Sequence, residues 1–380
     1  MTRVLIAGAS IAGPALALWL HRWGAEVTVV ERAPELRPGG QAVDARGVTK
    51  EVIRRMGLDA AVRAARTETA GAHTVDADGN VLETFSAEDG YISEIEILRG
   101  DLARVLYDAT RADVEYRFDD RIAELTQDPD GVDVTFASGE RRRFELVIGA
   151  DGLHSSLRAL VFGPHEPFVH RLGHMLAFYT VPNEFGLDRW LLDHQEPGRS
   201  AGLRPIRDAT QAMAIFAFAA PGLEVDHRDI EAQKRLLRGR MAGFGWETQR
   251  ILAHLDDAPD FYLDQVAQVK MERWSSGRVG LLGDAAFSSS PLSGQGTGLA
   301  LVGAYLLAGE LAAADWDPDA GFAAYEQRMR PFVEANQGMG RLHARSKDVP
   351  PPPQPDFDFD LIDRAINGVE LPDYAPVSAR

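Results

Sequence analysis

Two glycines and a carboxylate near the start of the chain have the spacing of a dinucleotide phosphate site. The segment Gly8-Ala9-Ser10-Ile11-Ala12-Gly13 ends a short apolar run, and Ser10 stands where G-x-G-x-x-G has its middle glycine. Gly8 permits a tight turn and Gly13 lets a helix begin close to the strand. The backbone N–H groups of Ser10, Ile11 and Ala12 then face a pyrophosphate at the helix N-terminus. Glu31 closes the next predicted strand, where a carboxylate can accept hydrogen bonds from adenosine ribose hydroxyls, with Arg32 beside it. A plain glycine turn in a β-α-β unit has the same appearance, and this segment alone does not separate FAD from NAD.

Two later segments separate them. Ile148-Gly149-Ala150-Asp151-Gly152-Leu153-His154-Ser155-Ser156-Leu157-Arg158 and Gly283-Asp284-Ala285-Ala286-Phe287 each follow an apolar run. They resemble the DGxxSxxR and GDAAH motifs of the single-component (class A) flavoprotein monooxygenases, the para-hydroxybenzoate hydroxylase superfamily. All three segments occur in that family's order, from residue 4 to about residue 300. The resemblance implies FAD, reduced by NADPH or NADH, and O2 as co-substrate. It also implies a flavin C4a-hydroperoxide that hydroxylates an aromatic or polyketide-like small molecule, so no catalytic side chain is required beyond those that hold the flavin. In such a protein Asp284 accepts a hydrogen bond from a ribityl hydroxyl. The loop Pro291-Leu292-Ser293-Gly294-Gln295-Gly296 presents N–H groups and a helix dipole to the flavin edge that gains negative charge on reduction. Gly294 and Gly296 let the backbone approach the ring. Asp151 and Arg158 lie in a segment that touches both cofactor regions, although a purely structural salt bridge is the rival reading for Arg158. Phe287 in place of His, and Gly298 in place of Asn, depart from the family pattern and remove a hydrogen bond near the ring.

Within that superfamily, residues 37–44 (Arg-Pro-Gly-Gly-Gln-Ala-Val-Asp) and 96–102 (Glu-Ile-Leu-Arg-Gly-Asp-Leu) are similar to the TetX-like, aromatic polyketide hydroxylase branch. The branch implies that Arg37 approaches NADPH, Asp44 the flavin and Arg99 the FAD, with Arg46 a second candidate at the ring edge. Guanidinium groups suit pyrophosphate and ribose phosphates. A solvated loop cation is the simpler reading of Arg37.

The elements that must position these residues follow from the apolar pattern. Residues 4–31 read as strand, helix, strand, with helices near 48–56, 100–109, 230–241, 296–314 and 361–366. Strands are predicted at 121–126, 131–136, 142–148 and 278–282, and an extended link at 350–353. The expected fold is α/β: a Rossmann-like FAD-binding domain of the GR2 type (residues 1–70, 99–165 and 273–335). A mostly β substrate domain (71–98 and 166–272) interrupts it, and 336–380 form a C-terminal helix and tail. Met175, Phe178, Trp190, Met213, Phe216 and Phe218 fall in the β-rich segment as candidate pocket lining, with core packing as the alternative.

Composition excludes other classes. The formal charge of −17 repels nucleic-acid backbones, and the absence of cysteine removes thiolate metal sites and a cysteinyl-flavin link. His170 and His174 have no third partner that would make a metal site. No uninterrupted apolar run of about 20 residues argues for a membrane span, and the opening residues lead straight into a strand, so a cytoplasmic protein is expected. A flavin-dependent halogenase would show a WxWxIP segment, which is missing. An FAD-dependent oxidase or reductase on the same fold, or a non-catalytic flavin or ligand carrier, remain the alternatives.

Overall fold

The first β-α-β unit sets the architecture. In the computed structural model, which describes residues 1–37, 39–89, 92–226, 228–348 and 358–374, β1 (Arg3–Ala7) leads through Gly8 into α1 (Ala12–Arg22). The chain returns as β2 (Glu26–Val30), parallel to β1. Both strands are apolar on nearly every residue because both of their faces are covered. Next come β3 (Ala42–Ala45), α2 (Val48–Arg55) and α3 (Asp59–Ala64). The antiparallel pair β4 (Gly71–Val75) and β5 (Val81–Ser86) follows. Its Asp76–Asn80 turn is closed by Asp76 accepting from Asp78 N and Asn80 N. β6 (Ile95–Leu98) pairs antiparallel with β3, and α4 (Arg99–Asp108) begins immediately after it.

β7 (Glu115–Arg117) joins β2. The meander β8 (Ile122–Asp128), β9 (Gly131–Phe136) and β10 (Arg141–Phe144) is followed at once by β11 (Leu146–Gly149). The single strand expected over 142–148 is therefore two. β10 pairs antiparallel with β9, while β11 pairs parallel with β1. Glu145 makes the change of sheet: its N–H donates to Arg3 O, and its carboxylate accepts from Arg3 N at 2.7 Å.

After α5 (Ser156–Phe162), the long β12 (Val169–Pro182), β13 (Trp190–Glu196), β14 (Arg199–Pro205) and β15 (Gln211–Ala219) build a second sheet. Helices α6 (Ile230–Arg240) and α7 (Thr248–Ala253) cover it, and β16 (Tyr262–Val269) completes it. The chain then re-enters the first sheet with β17 (Ser275–Ser276) and β18 (Val279–Leu281). The short α8 (Asp284–Phe287), the apolar α9 (Gly296–Ala313), α10 (Pro318–Asp348) and α11 (Phe359–Asn367) end the fold. The expected link at 350–353 lies outside the described residues.

The strand order is β17-β18-β11-β1-β2-β7 in the first sheet and β16-β12-β15-β14-β13-β4-β5 in the second. α9 is long and apolar enough to cross a membrane by length and composition, but 89% of it is buried within the protein, between α1, α2 and α10. The C-terminal ends of β1, β2, β11 and β18 open on one side, where ligands bind in open α/β sheets.

Candidate functional site

The phosphate loop passes tightly against the second motif. Gly8 has φ +109°, and a Cβ on it would stand 2.4 Å from the Ala150 carbonyl oxygen. A Cβ on Gly13 would stand 1.8 Å from Gly8 O, so both positions require glycine. No side chain caps α1, and its first N–H groups remain for an anion. The Glu31 carboxylate braces the loop by accepting from Ala9 N and Ala33 N, each at 2.9 Å, and retains lone pairs for further donors. Ser10, the departure from the glycine pattern, has its own partner, because Arg99 Nη2 donates to Ser10 Oγ at 2.8 Å. Sequence reading missed that contact, since the two residues lie 89 positions apart. Backbone bonds from Arg99 N to Gln41 O and from Gly100 N to Gly39 O bring the 39–41 segment to the same place. Arg32 and Arg37 are exposed, and Pro38 lies outside the described residues.

The second motif is a capping device and a brace. Asp151 Oδ2 accepts from Ser156 N, Ser156 Oγ and Leu157 N, and Ser155 Oγ accepts from Arg158 N, so together they start α5. Arg158 is fully buried and donates to Leu153 O (2.7 Å) and Ala285 O (2.8 Å), with His165 Nδ1 at 2.9 Å. Its rival reading as a salt bridge is replaced: among the described residues no carboxylate bonds it. Burial holds this guanidinium below its usual pKa, against the nearby charge of Asp151. Arg158 thereby ties the second motif to the third.

Phe287 packs against Trp274 (4.7 Å between ring centroids) inside the core, not toward the cleft. Gly298 is matched to α2, because a Cβ there would stand 2.7 Å from Thr49 Oγ1. Both departures from the family pattern thus have a packing reason.

Asp284 and Tyr262 mark the cleft. Protein surrounds each of them, yet each presents accessible surface, as groups lining an internal cleft do. Burial lifts the Asp284 carboxyl above its usual range, and the Arg99 charge opposes the rise. Beside them Ser290 and Gly294 adopt positive φ in the turn that delivers Gln295 and Gly296 to the uncapped start of α9. A Cβ added to Gly294 or Gly296 would meet no atom within 4 Å. Asp44 of β3 and Arg46 just after it form a half-buried ion pair at 2.8 Å, and burial lifts the Asp44 carboxyl.

The inner wall is one face of the second sheet. Strand alternation places Leu176 and Phe178 of β12 on this face, packed with Ala217, Val266 and Leu292 of the Pro291–Ser293 turn. Met213 and Ile215 share that face by register. Met175, Phe216 and Phe218 do not line it. They belong to the core that the sheet makes with α6 and α7, together with Leu237, Met241 and Ile251. Trp190 lies at the far side of the sheet, stacked on His73 (4.3 Å, 10°). Three residues on or near the wall went unnoticed in the sequence. His154 Nε2 lies 2.8 Å from Asp264 Oδ2, and the Tyr262 hydroxyl donates to the same oxygen at 3.2 Å. His170 and His174 lie on β12 beside a bulge, and His174 Nε2 lies 3.2 Å from Ala344 O.

These residues fit a flavin dinucleotide. The uncapped helix start flanked by close-approach glycines suits the pyrophosphate, and the deep but accessible Asp284 suits a hydroxyl. The open space at Gly294 and Gly296 suits a flat ring, and Asp151 Oδ1 and Ser290 Oγ are buried without a partner among the described residues. Fold and site define a flavoprotein whose cleft lies between a nucleotide-binding sheet and a β wall. The chain belongs to the class A flavoprotein monooxygenase family, and the family model described as FAD binding domain matches residues 1–338. It is 48% identical over 379 residues to the uncharacterized protein Rv1260 of Mycobacterium tuberculosis (98% of this chain, 100% of that protein). It is 38% identical over 382 residues to a flavin-dependent monooxygenase of Legionella longbeachae (98% of each). The crystal structure of tetracycline destructase Tet(55) superposes with a TM-score of 0.89 at 39% identity, covering 98% of this chain and 99% of that one. The activity is that of an FAD-dependent monooxygenase.

Proposed function

We propose that this monooxygenase takes electrons from NADPH or NADH and hydroxylates an aromatic or polyketide-like molecule held against the inner face of the second sheet. The observation that carries the reading is the cleft in which Asp284 and Tyr262 stand accessible within the protein, both under the influence of Arg99. Residues 1–70, 99–165 and 273–335 hold the cofactor, and 71–98 and 166–272 supply the wall. The FAD, when bound, supplies the electron and oxygen chemistry; the chain binds, orients and excludes water. The N–H groups of residues 10–12 and the guanidinium of Arg99 receive the pyrophosphate, and Glu31 and Arg32 frame the adenosine. Asp284 accepts from the ribityl chain. Asp44, Arg46 and Asp151 border the flavin, and the 291–296 turn offers donors where negative charge collects. Phe178 and Met213 keep the wall apolar and dry, while Arg37 meets the nicotinamide dinucleotide from solvent.

The test is aerobic NADPH and NADH oxidation by FAD-loaded protein with a panel of phenols and fused-ring polyketides. Tetracycline comes first because of the structural neighbour. A rate that rises with one compound, together with a product heavier by one oxygen atom, is expected. Oxidation that no compound stimulates would sink the reading.

A further inference from the structure

A charged cluster stands where the ribbon of β3 and β6 meets the wall. On that antiparallel ribbon Asp44 lies directly opposite Glu96, a like-charge pairing that destabilises a sheet unless it is compensated. Arg46 compensates Asp44, and Arg204 of β14 crosses from the second sheet to compensate Glu96. Glu96 is 5% exposed and takes three donors: Arg204 Nη1, Thr67 Oγ1 and Thr69 Oγ1, the last at 2.6 Å. Burial alone would raise the Glu96 carboxyl, but the Arg204 charge and the two hydroxyls outweigh it and hold it below its usual range. Both oxygens of the anion are therefore engaged.

Arg204 is not saturated. Its Nε and Nη2 have no partner among the described residues, and neither atom is sealed from solvent. Only 17% of the side chain is exposed, so those two donors are largely sheltered from bulk solvent. The guanidinium is thus fixed along one edge by a buried carboxylate and open along the other, which is how a binding arginine is preorganised.

Its neighbours place it on the wall. Arg204 pairs with Met213, and Met213 pairs with Thr180; Tyr262, Phe178, Ile215 and Gly202 form the adjacent row on the same face. With neighbouring strands about 4.8 Å apart, Arg204 on β14 and Tyr262 on β16 stand three spacings, about 14 Å, apart across the sheet. Between them lie Met213, Ile215 and Phe178, with the Thr180 hydroxyl turned to Asp260.

We infer that Arg204, held by Glu96, is the specificity-determining donor of the substrate cleft, anchoring an acceptor oxygen at one end of a molecule whose rings lie along Met213, Ile215 and Phe178. The inference rests on the proposed function. A phenol, enol or ketone oxygen suits the open edge, and a molecule long enough to reach from Arg204 toward Tyr262 carries several fused rings. A hydrocarbon of the same size would leave the buried guanidinium edge without a partner, and that penalty is the basis of selection.

The experiment uses FAD-loaded wild type, Arg204→Met and Arg204→Lys, with tetracycline and the phenol and polyketide panel as probes. It measures KM, kcat, product formed per NADPH oxidised, FAD content and Tm. Arg204→Met should raise KM for a converted probe about ten- to one hundred-fold and divert NADPH oxidation toward hydrogen peroxide, because the substrate is no longer fixed. Arg204→Lys keeps a cation for Glu96 but loses the second edge of the fork. It should keep wild-type Tm and FAD content while still raising KM. If the wild type converts a probe and both variants match it in KM and coupling, Arg204 is no anchor although the function stands. If only Tm and FAD content fall, Arg204 is an interdomain latch and the inference is overturned. If wild-type protein converts no probe, the function itself falls, and the inference with it.

Discussion

A carboxylate surrounded by protein yet open to a cleft is held against its own desolvation, and the two cofactor-side carboxylates differ in just this respect. Burial of Asp284 is offset by the Arg99 charge and by a hydrogen bond with Ser288, whereas Glu31 is already engaged by two backbone N–H groups. Asp284→Ala should therefore weaken FAD binding by the loss of one hydrogen bond to a charged group, about 1.5–3 kcal/mol or one to two decades. Fluorescence titration of FAD into apoprotein measures it, and an unchanged Kd would remove Asp284 from the site. Arg37 is exposed. Arg37→Ala should then raise the apparent KM for NADPH several-fold at unchanged FAD content, and the rise should shrink at high salt as screening weakens the wild-type contact. Steady-state kinetics at two ionic strengths decide between a docking cation and a solvated one. At this scale the sequence was most legible where glycine and aspartate stand at strand ends. It was silent where two distant residues meet. Ser10 looked like a lost glycine because its partner, Arg99, is separated from it by most of the nucleotide-binding half. The sequence assigns no role to Glu96 or Arg204 because nothing local says that they are inside.

Helix against helix, α2 and α9 meet closely at Gly298. Gly298→Ala would drive a Cβ to 2.7 Å from Thr49 Oγ1, within a contact where Thr49 is almost fully buried. Overpacking of this kind is worth about 1–3 kcal/mol of destabilisation. Thr49→Ala removes the obstructing oxygen, so the glycine substitution should be less damaging in that background than in wild type, a coupling that a double-mutant cycle in Tm reads directly. Additive effects would mean that α9 needs Gly298 for its backbone and not for its neighbour. The first β-α-β unit and the helices α2, α4, α6, α9 and α11 were readable because apolar spacing and terminal glycines speak about local structure, whereas α3, α5, α7 and the long α10 were not picked out. The strand over 142–148 was not, since nothing in Arg-Arg-Phe-Glu-Leu-Val-Ile reveals that Glu145, bonded to Arg3, hands the chain from one sheet to another. Nor could alternation along β12 and β15 say which face turns inward. Helices α6 and α7 take the face bearing Met175, Phe216 and Phe218, and Phe178 and Met213 are left to the wall.

Across the whole molecule the charge is −17, and arginine and lysine side chains are threaded among the carboxylates where repulsion would otherwise accumulate. Glu51 accepts from both Arg54 and Arg55, and those bonds hold its pKa near about 2. Glu94 lies between Lys50 and Arg63, and Asp128 accepts from Arg143; both are likewise lowered to about 2. Each folded-state pKa lies below the ordinary carboxylate value. The stabilisation is therefore complete above about pH 4.5 and is lost as the pH falls toward 2. The same acidification carries the chain through its isoelectric point near 5.0 into net positive charge, so the arginines begin to repel one another as their partners are neutralised. All three carboxylates are largely exposed, and solvent screening keeps each contribution small. Their sum, however, acts on one side of neutrality only. Wild-type Tm, followed by circular dichroism with saturating FAD, should hold nearly level from pH 8 to 5.5 and fall below pH 4.5. Glu51→Gln combined with Glu94→Gln should start a few degrees lower at pH 7 and lose less on going to pH 3, because the titrating bonds are already gone. Parallel curves for the two proteins would place the acid sensitivity in other carboxylates and leave these pairs as surface contacts without weight in the fold.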